Sequence, residues 1–357
     1  MNILTFLLAL GILYFGWMLM ANAGLKGIIC SRSFSRRTVF EGESAELVEV
    51  VRNDQPYLIP WLRLESRISP YIRLGKLDNL HVSDDMYYCS LFTLMPYQQI
   101  RRTHKVHFLR RGAYDLGNAS LTVGVMLGVG QKQRVQELHA PVLVYPKLLQ
   151  EDAIGLPISM LLGDLIRRQQ LLTDPFLIRG IRDYHPGDPV RSIHWPASAR
   201  MPNVQLRVHD HTARTKLLVV LNVQDQDLIW GNRISEQKEA AVEYGISLAA
   251  TVCTYALRHG LCAGFAANMP LQQEKESTLI LPQDGSGQDE ILLAAMAKLS
   301  LSRTVYFPAF LESLNVYSGM DILVLSMYEC DKINAAMEHL RHCGNQVTFH
   351  LLEGGDL

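Results

Sequence analysis

The chain of 357 residues lacks most of the short patterns that announce a reaction. It has no G-x-S-x-G nucleophile elbow, no G-x-G-x-x-G and no G-x-x-x-x-G-K-[ST], which removes the usual routes to acyl transfer, dinucleotide binding and phosphate cradling. Its six cysteines form no C-x-x-C and have no zinc spacing, so they read as buried thiols of a reducing compartment. An excess of either charge is also missing. Lys and Arg number 34 against 35 Asp and Glu, a net charge of -1, and no basic tail is present to supply the footprint that nucleic acid requires.

Charge is absent altogether from Met1 to Leu25, and the run is long enough to cross a hydrocarbon core, which needs about 20 apolar residues. Lys26, Arg32, Arg36 and Arg37 follow it, so the positive-inside rule predicts a single span with the bulk of the chain in the cytoplasm, at the inner membrane. The small-x-small triplet Ala21-Asn22-Ala23 offers a signal-peptide cleavage site as the alternative, but the basic n-region of such a peptide is missing.

From Ser35 to about Tyr145 the pattern is that of strands. ELVEVVRN alternates around Val48, Val50 and Val51, WLRLESRI has period two, and Pro56, Pro60, Pro70, Pro96, Gly112 and Gly117 punctuate the runs. An antiparallel β-sandwich over 35–146 is expected. Arg101, Arg102, His104, Lys105, His107, Arg110 and Arg111 form a basic cluster there, either a solvated strand face or a dock for an acidic partner or anionic lipid. After a helical crossover, LPISMLLGDLIRRQQLL, the remainder alternates apolar strands (Leu217 to Val223, Asp321 to Ser326) with helices from about Ser235 to Arg258 and Asp331 to Arg341. Such alternation predicts a mainly parallel, Rossmann-like α/β sheet over 201–357, covered on both faces.

Between these halves, within a crossover segment 147–200, lies RGIRDYHPGDPVRSIHWPASAR, Arg179 to Arg200. Pro186 and Pro189 lack an N–H and Gly187 tolerates a positive φ, so the chain must turn near Asp188. The spacing allows Asp188 to pair with Arg191, and Trp195 offers a flat face to a guanidinium or a pocket. Two readings stay open: Arg182, Tyr184, Gly187, Asp188, Arg191, Trp195, Ser198 and Arg200 form either a polar lock or a surface that recognises a partner. His185, His194, His209 and His211 fit no ligand spacing, and Cys253 and Cys262 sit in apolar runs as core thiols.

The ungapped pattern Gly180-x-Arg182-x-Tyr184-x-Pro186-Gly187-Asp188-x-x-Arg191-x-Ile193-x-Trp195-x-x-Ser198-Ala199-Arg200 resembles the signature of the bacterial family known as domain of unknown function 58. His194 and Pro196 stand where that family commonly has an Asp and a Lys. The resemblance extends more weakly to Arg110–Gly117, where the family's following Asp-Pro is replaced by GVMLGV, Gly124 to Val129. It implies a membrane-anchored protein with a von Willebrand factor A-like C-terminal domain, working with MoxR-type AAA+ ATPases and other von Willebrand-type proteins. In such domains Asp-x-Ser-x-Ser after the first strand holds Mg²⁺. Here the place reads Asn222-Val-Gln224-Asp-Gln226, amides without the carboxylate and hydroxyls that a hard cation needs, and no metal or cofactor is expected.

The expectation is therefore a multidomain chain of transmembrane helix, sandwich and von Willebrand A-like domain, acting as a non-enzymatic scaffold in complex assembly or envelope maintenance, with no small-molecule substrate. A membrane-anchored hydrolase using the His-rich signature and an exported adhesion-like module are the alternatives.

Overall fold

The computed structural model of the chain describes residues 11, 25, 27–75, 80–82, 87–124, 131–150, 155–171, 173–185, 188–211, 215–224, 236–272, 274–285 and 287–352. The expected span 1–25, apart from Gly11 and Leu25, lies outside these residues, as do Pro186, Gly187, Asp225 and Gln226. The chain divides into two units, 1–147 and 148–357.

In the first unit, period-two alternation gives two antiparallel sheets. One has the order β1 (Ile28–Phe34), β3 (Ser44–Asn53), β8 (Gln99–Phe108), β5 (Ile72–Leu74). The other runs β11 (Gln131–Glu137), β10 (Asn118–Gly124), β4 (Ile59–Arg67), β7 (Tyr87–Leu94), β6 (Leu80–Val82). A smaller sheet joins β2 (Thr38–Phe40), β12 (Pro141–Tyr145) and β9 (Gly112–Asp115). Cys30 and Val51 of the first sheet share one apolar cluster with Leu62, Leu64, Tyr88 and Leu121 of the second, so the two pack face to face in a sandwich.

A polar layer crosses this core. On β3 the inward positions are Leu47, Glu49 and Val51, while Val48 and Val50, which the sequence pattern marks as the apolar stripe, are only half-buried on the other face. Glu49 is held because its charge is met on every side. Arg32 Nε donates to Oε1 at 2.6 Å and Tyr88 Oη to Oε2 at 2.5 Å, and His104 Nε2 stands 3.3 Å from Oε2. Arg32 Nη1 also donates to Ser66 Oγ across the sandwich at 2.6 Å. Apolar clusters lie on either side, Cys30, Val51 and Leu64 in one, Leu47, Ile68 and Val106 in the other. Burial raises the Glu49 pKa, but His104, Arg32 and Tyr88 together outweigh it and leave the carboxyl below its usual range.

The second unit begins with α1 (Leu156–Leu171) and a two-stranded antiparallel ribbon, β13 (Thr173–Asp183) with β14 (Gln205–His211); the short α2 (Trp195–Ser198) lies in the connection between them. The ribbon is a sheet of its own, separate from the larger one. That sheet has the order β17 (Thr278–Gln283), β16 (Cys262–Ala267), β15 (Lys216–Leu221), β18 (Asp321–Ser326), β19 (Gln346–Leu351), with β17 antiparallel and the rest parallel. Both faces are covered. Leu218, Val220, Ile322 and Val324 pack with α5 (Phe307–Ser313) and α6 (Asp331–His342). Leu221 meets α3 (Glu236–Arg258), where a Cβ on Gly245 would come within 2.9 Å of it. A fourth long helix, α4 (Gln288–Lys298), completes the set.

Among the described residues the one helix long and apolar enough to cross a membrane is residues 238–258 of α3. It packs on β15 and β16 and buries Val242, Ile246, Ala249, Val252 and Cys253, as a core helix does. Cys253 is buried there and its thiol pushed up to about 12, which makes it inert. All six cysteines are free.

Replacing Glu49 by Gln strands the Arg32 guanidinium in the core and is expected to cost about 3–5 kcal/mol in denaturant unfolding, whereas Arg32→Met with Glu49→Leu costs far less. Because the folded pKa of Glu49 is depressed, its contribution is complete above the unfolded value of about 4.3 and is lost as pH falls below it. Urea titrations of the wild type and both variants between pH 7 and pH 3 check this.

Candidate functional site

The ribbon registers Arg182 against Leu206 and Asp183 against Gln205, and the connection between its strands carries the signature. Arg182 leaves β13 with its guanidinium turned toward the loop. Nη1 donates to Asp188 Oδ2 at 2.8 Å and Nη2 to Oδ1 at 2.7 Å, a bidentate fork. His185 N adds a third bond to Oδ2 at 2.9 Å. Both carboxylate oxygens of Asp188 are thus taken by Arg182, six residues away; the side chain of Arg191, which the spacing offers as a partner, lies outside what the structure describes. The hydrogen bonds from Arg182 and His185 hold Asp188 below the usual carboxylate range, and Asp188 raises Arg182.

Other signature residues tie the remainder of the loop to β14. Asp183 accepts from Gln205 Nε2 at 2.6 Å and Asn203 Nδ2 at 3.0 Å, which lowers its pKa. Ser198 Oγ accepts from Gln205 N at 2.8 Å and donates to His194 O at 3.0 Å. His194 caps α2, its Nδ1 accepting from Ala197 N at 3.0 Å, a use of the ring that the sequence reading did not foresee. Ile193 bridges to Leu206, and both are buried. Tyr184 is half-buried and bonds through its backbone N to Val204 O.

Two of the expected site residues do the opposite. Trp195 is 65% exposed and Arg200 is exposed as well. Val190, Met201 and Val204 of the connection and Ile181 of β13 are exposed too, so the ribbon and its connection hold out five large apolar side chains. Gly187 lies outside the described residues; Arg191 contributes backbone to the 3-10 turn Val190–Ser192. Backbone pairing sets His209 opposite Ile178 and His211 opposite Thr173.

A second candidate is the carboxyl end of the parallel sheet, where strand order reverses between β15 and β18 and open α/β sheets take ligands. Four polar side chains meet there, and they bond to one another. Asn222 Nδ2 donates to Ser326 Oγ at 3.0 Å, Asn268 Nδ2 to Asn222 Oδ1 at 3.3 Å, and Gln224 N to the same Oδ1 at 2.9 Å. Asn268 Oδ1 accepts from Val223 N at 2.9 Å, and Gln224 Oε1 from Phe307 N at 2.6 Å. All four residues are buried. Asn222, Gln224, Asn268 and Ser326 therefore knot three strand ends to the start of α5. Among the described residues no group of three or more His, Cys, Asp and Glu is placed to hold a metal ion.

Removing Asn222 as Asn222→Ala takes a partner from Ser326, Gln224 N and Asn268 at a buried site, at about 1–3 kcal/mol for each group left unsatisfied. Thermal and denaturant unfolding of that variant is expected to show a loss of several kcal/mol, and a change within about 0.5 kcal/mol would contradict the network.

No curated protein matches the chain. Likenesses to solved structures are partial: a CARDB domain from Pyrococcus furiosus has 16% identity and a TM-score of 0.22, covering 33% of this chain and 86% of that one. A non-cellulosomal cohesin from Archaeoglobus fulgidus has 8% identity and a TM-score of 0.23, covering 35% and 94%. Residues 180–299, from the ribbon through β15, α3, β16 and β17 to α4, match the model of the family described as "Protein of unknown function DUF58", which supports placing the chain in that family.

Proposed function

We propose that the protein is a membrane-anchored, non-enzymatic scaffold that presents its signature ribbon to a partner protein. The observation that carries this reading is the division of labour inside the signature. Arg182, Asp188 and Ser198 are spent on fixing the loop, while Trp195 stands 65% exposed on it. A large aromatic presented on a loop that is already fixed suits an interface anchor, because the backbone has little ordering entropy left to lose when the partner arrives.

The partner class comes from the resemblance: a MoxR-type AAA+ ATPase, with von Willebrand-type proteins beside it. A von Willebrand A-like identity for the second unit accords with its largely parallel sheet and covered faces. The amide knot at its carboxyl end favours a form that binds no metal, since Asn222, Gln224 and Asn268 use their polar atoms on each other and on backbone. Anchoring rests on the uncharged run Met1–Leu25 and the basic residues after it, which favour an inner-membrane protein with cytoplasmic domains. The hydrolase alternative gains less: His194 spends Nδ1 on its helix cap, and Cys253 is a buried high-pKa thiol.

Affinity capture from detergent extracts checks the reading. Wild type is expected to recover an AAA+ ATPase, and Trp195→Ala to lose it by roughly thirtyfold in affinity, as a hot-spot aromatic does, with unfolding unchanged. Equal recovery by the two forms would sink the proposal.

A further inference from the structure

The outer face of the β1-β3-β8-β5 sheet is exposed, and its charge is segregated. Along β8 the outward positions are Arg101, Thr103, Lys105 and His107, and β5 adds Arg73 directly opposite His107. On β3 the facing positions are Val50 opposite Arg101, Val48 opposite Thr103, Glu46 opposite Lys105 and Ser44 opposite His107. Glu46 is the one carboxylate among these outward positions. Arg52, at the far end of β3, is held by Asp54 at 2.6 Å. Four members of the basic cluster in the sequence leave this face: His104 is buried in the polar layer, Arg102 turns inward, donating to Ser90 Oγ at 3.0 Å and lying 4.0 Å over the Phe92 ring, and Arg110 and Arg111 follow the end of β8, Arg111 being buried. In a chain whose charges balance to -1, the remaining excess is a local arrangement.

We infer that this face rests on anionic lipid headgroups; the inference builds on the membrane-anchored reading above. Three observations favour lipid over an acidic protein. The uncharged run Met1–Leu25 ends three residues before β1, an edge strand of this same sheet, so an anchor there keeps the face close to a bilayer surface. Besides the cations, Glu46 and Gln99, the outward residues of β1, β3 and β8 are serines, Thr103 and the aliphatic Ile29, Val48 and Val50, with no aromatic of the kind that fills protein interface cores. The cations lie on a broad sheet face, which suits many mobile headgroups. Basic side chains near an anionic leaflet gain roughly fivefold in binding each, within a Debye length of about 8 Å at physiological salt.

The test uses the full chain in nanodiscs of phosphatidylcholine alone or mixed with phosphatidylglycerol, with lysine acylation read by mass spectrometry. Lys105 is expected to react about fivefold more slowly in the anionic discs, relative to the exposed Lys298 of the second unit, and to recover in about 1 M salt, where the Debye length falls to about 3 Å. Arg73→Glu with Arg101→Glu, both at exposed positions, removes the difference. Equal Lys105 rates in the two discs overturn the inference. Protection in zwitterionic discs that needs added polyglutamate, with none from anionic lipid, overturns it in favour of an acidic protein. If the chain fails to enter either disc, the anchor falls separately, and the same labelling with anionic vesicles added in trans decides the face: slowing of Lys105 upholds it, no slowing rejects it.

Discussion

A polar group removed from water must find its partner inside the protein, and that constraint shapes both halves of this chain. In the sandwich, Glu49 can occupy an inward position of β3 because Arg32, Tyr88 and His104 converge on it from β1, β7 and β8. Three strands from two sheets are thereby committed to one register, since a slip of one residue would turn the charges out and leave Glu49 alone. In the α/β sheet the same demand is met by neutral groups. Asn222, Gln224, Asn268 and Ser326 close a network at the strand ends, where a carboxylate would call for a counter-ion.

Much of the architecture was legible. Apolar strands alternating with helices pointed to the parallel sheet, and the helix expected from about Ser235 to Arg258 runs from Glu236 to Arg258. The turn near Asp188 followed from Pro186, Gly187 and Pro189, and the bond from Asp188 N to His185 O at 3.0 Å accords with it. What could not be read were the pairings between residues distant in sequence. Alternation around Val48 and Val50 in ELVEVVRN sets Glu49 on the face opposite that apolar stripe, and only the approach of Arg32 and Tyr88 makes that face the buried one. The spacing of Asp188 and Arg191 allows a local pair, but nothing in it shows that Arg182, six residues earlier, forks onto both carboxylate oxygens. The amides of the knot were visible singly, but Asn222 and Asn268 lie 46 residues apart and meet only once β15 and β16 pair.

The signature likewise separates into parts with different duties. Its charged and hydroxyl residues act on the ribbon itself, and Ile193 and Leu206 form a small apolar seat beneath the loop. A two-stranded ribbon gains little stability from its ladder alone, so these side-chain bonds determine how firmly the loop is held. The exposed side chains of Trp195, Ile181, Val190, Met201 and Val204 take no part in that fixing, which uses only their backbone. They account for a pattern that a purely structural lock would not require.

The most direct test of this account is photo-crosslinking in the native membrane with a benzophenone amino acid in place of Trp195. The account predicts a discrete covalent adduct to one protein of the AAA+ or von Willebrand type, and none when the same probe replaces Asp289 on α4. A probe at 195 that captures no protein, while the chain remains folded and expressed at its normal level, would contradict the claim that the ribbon exists to be recognised.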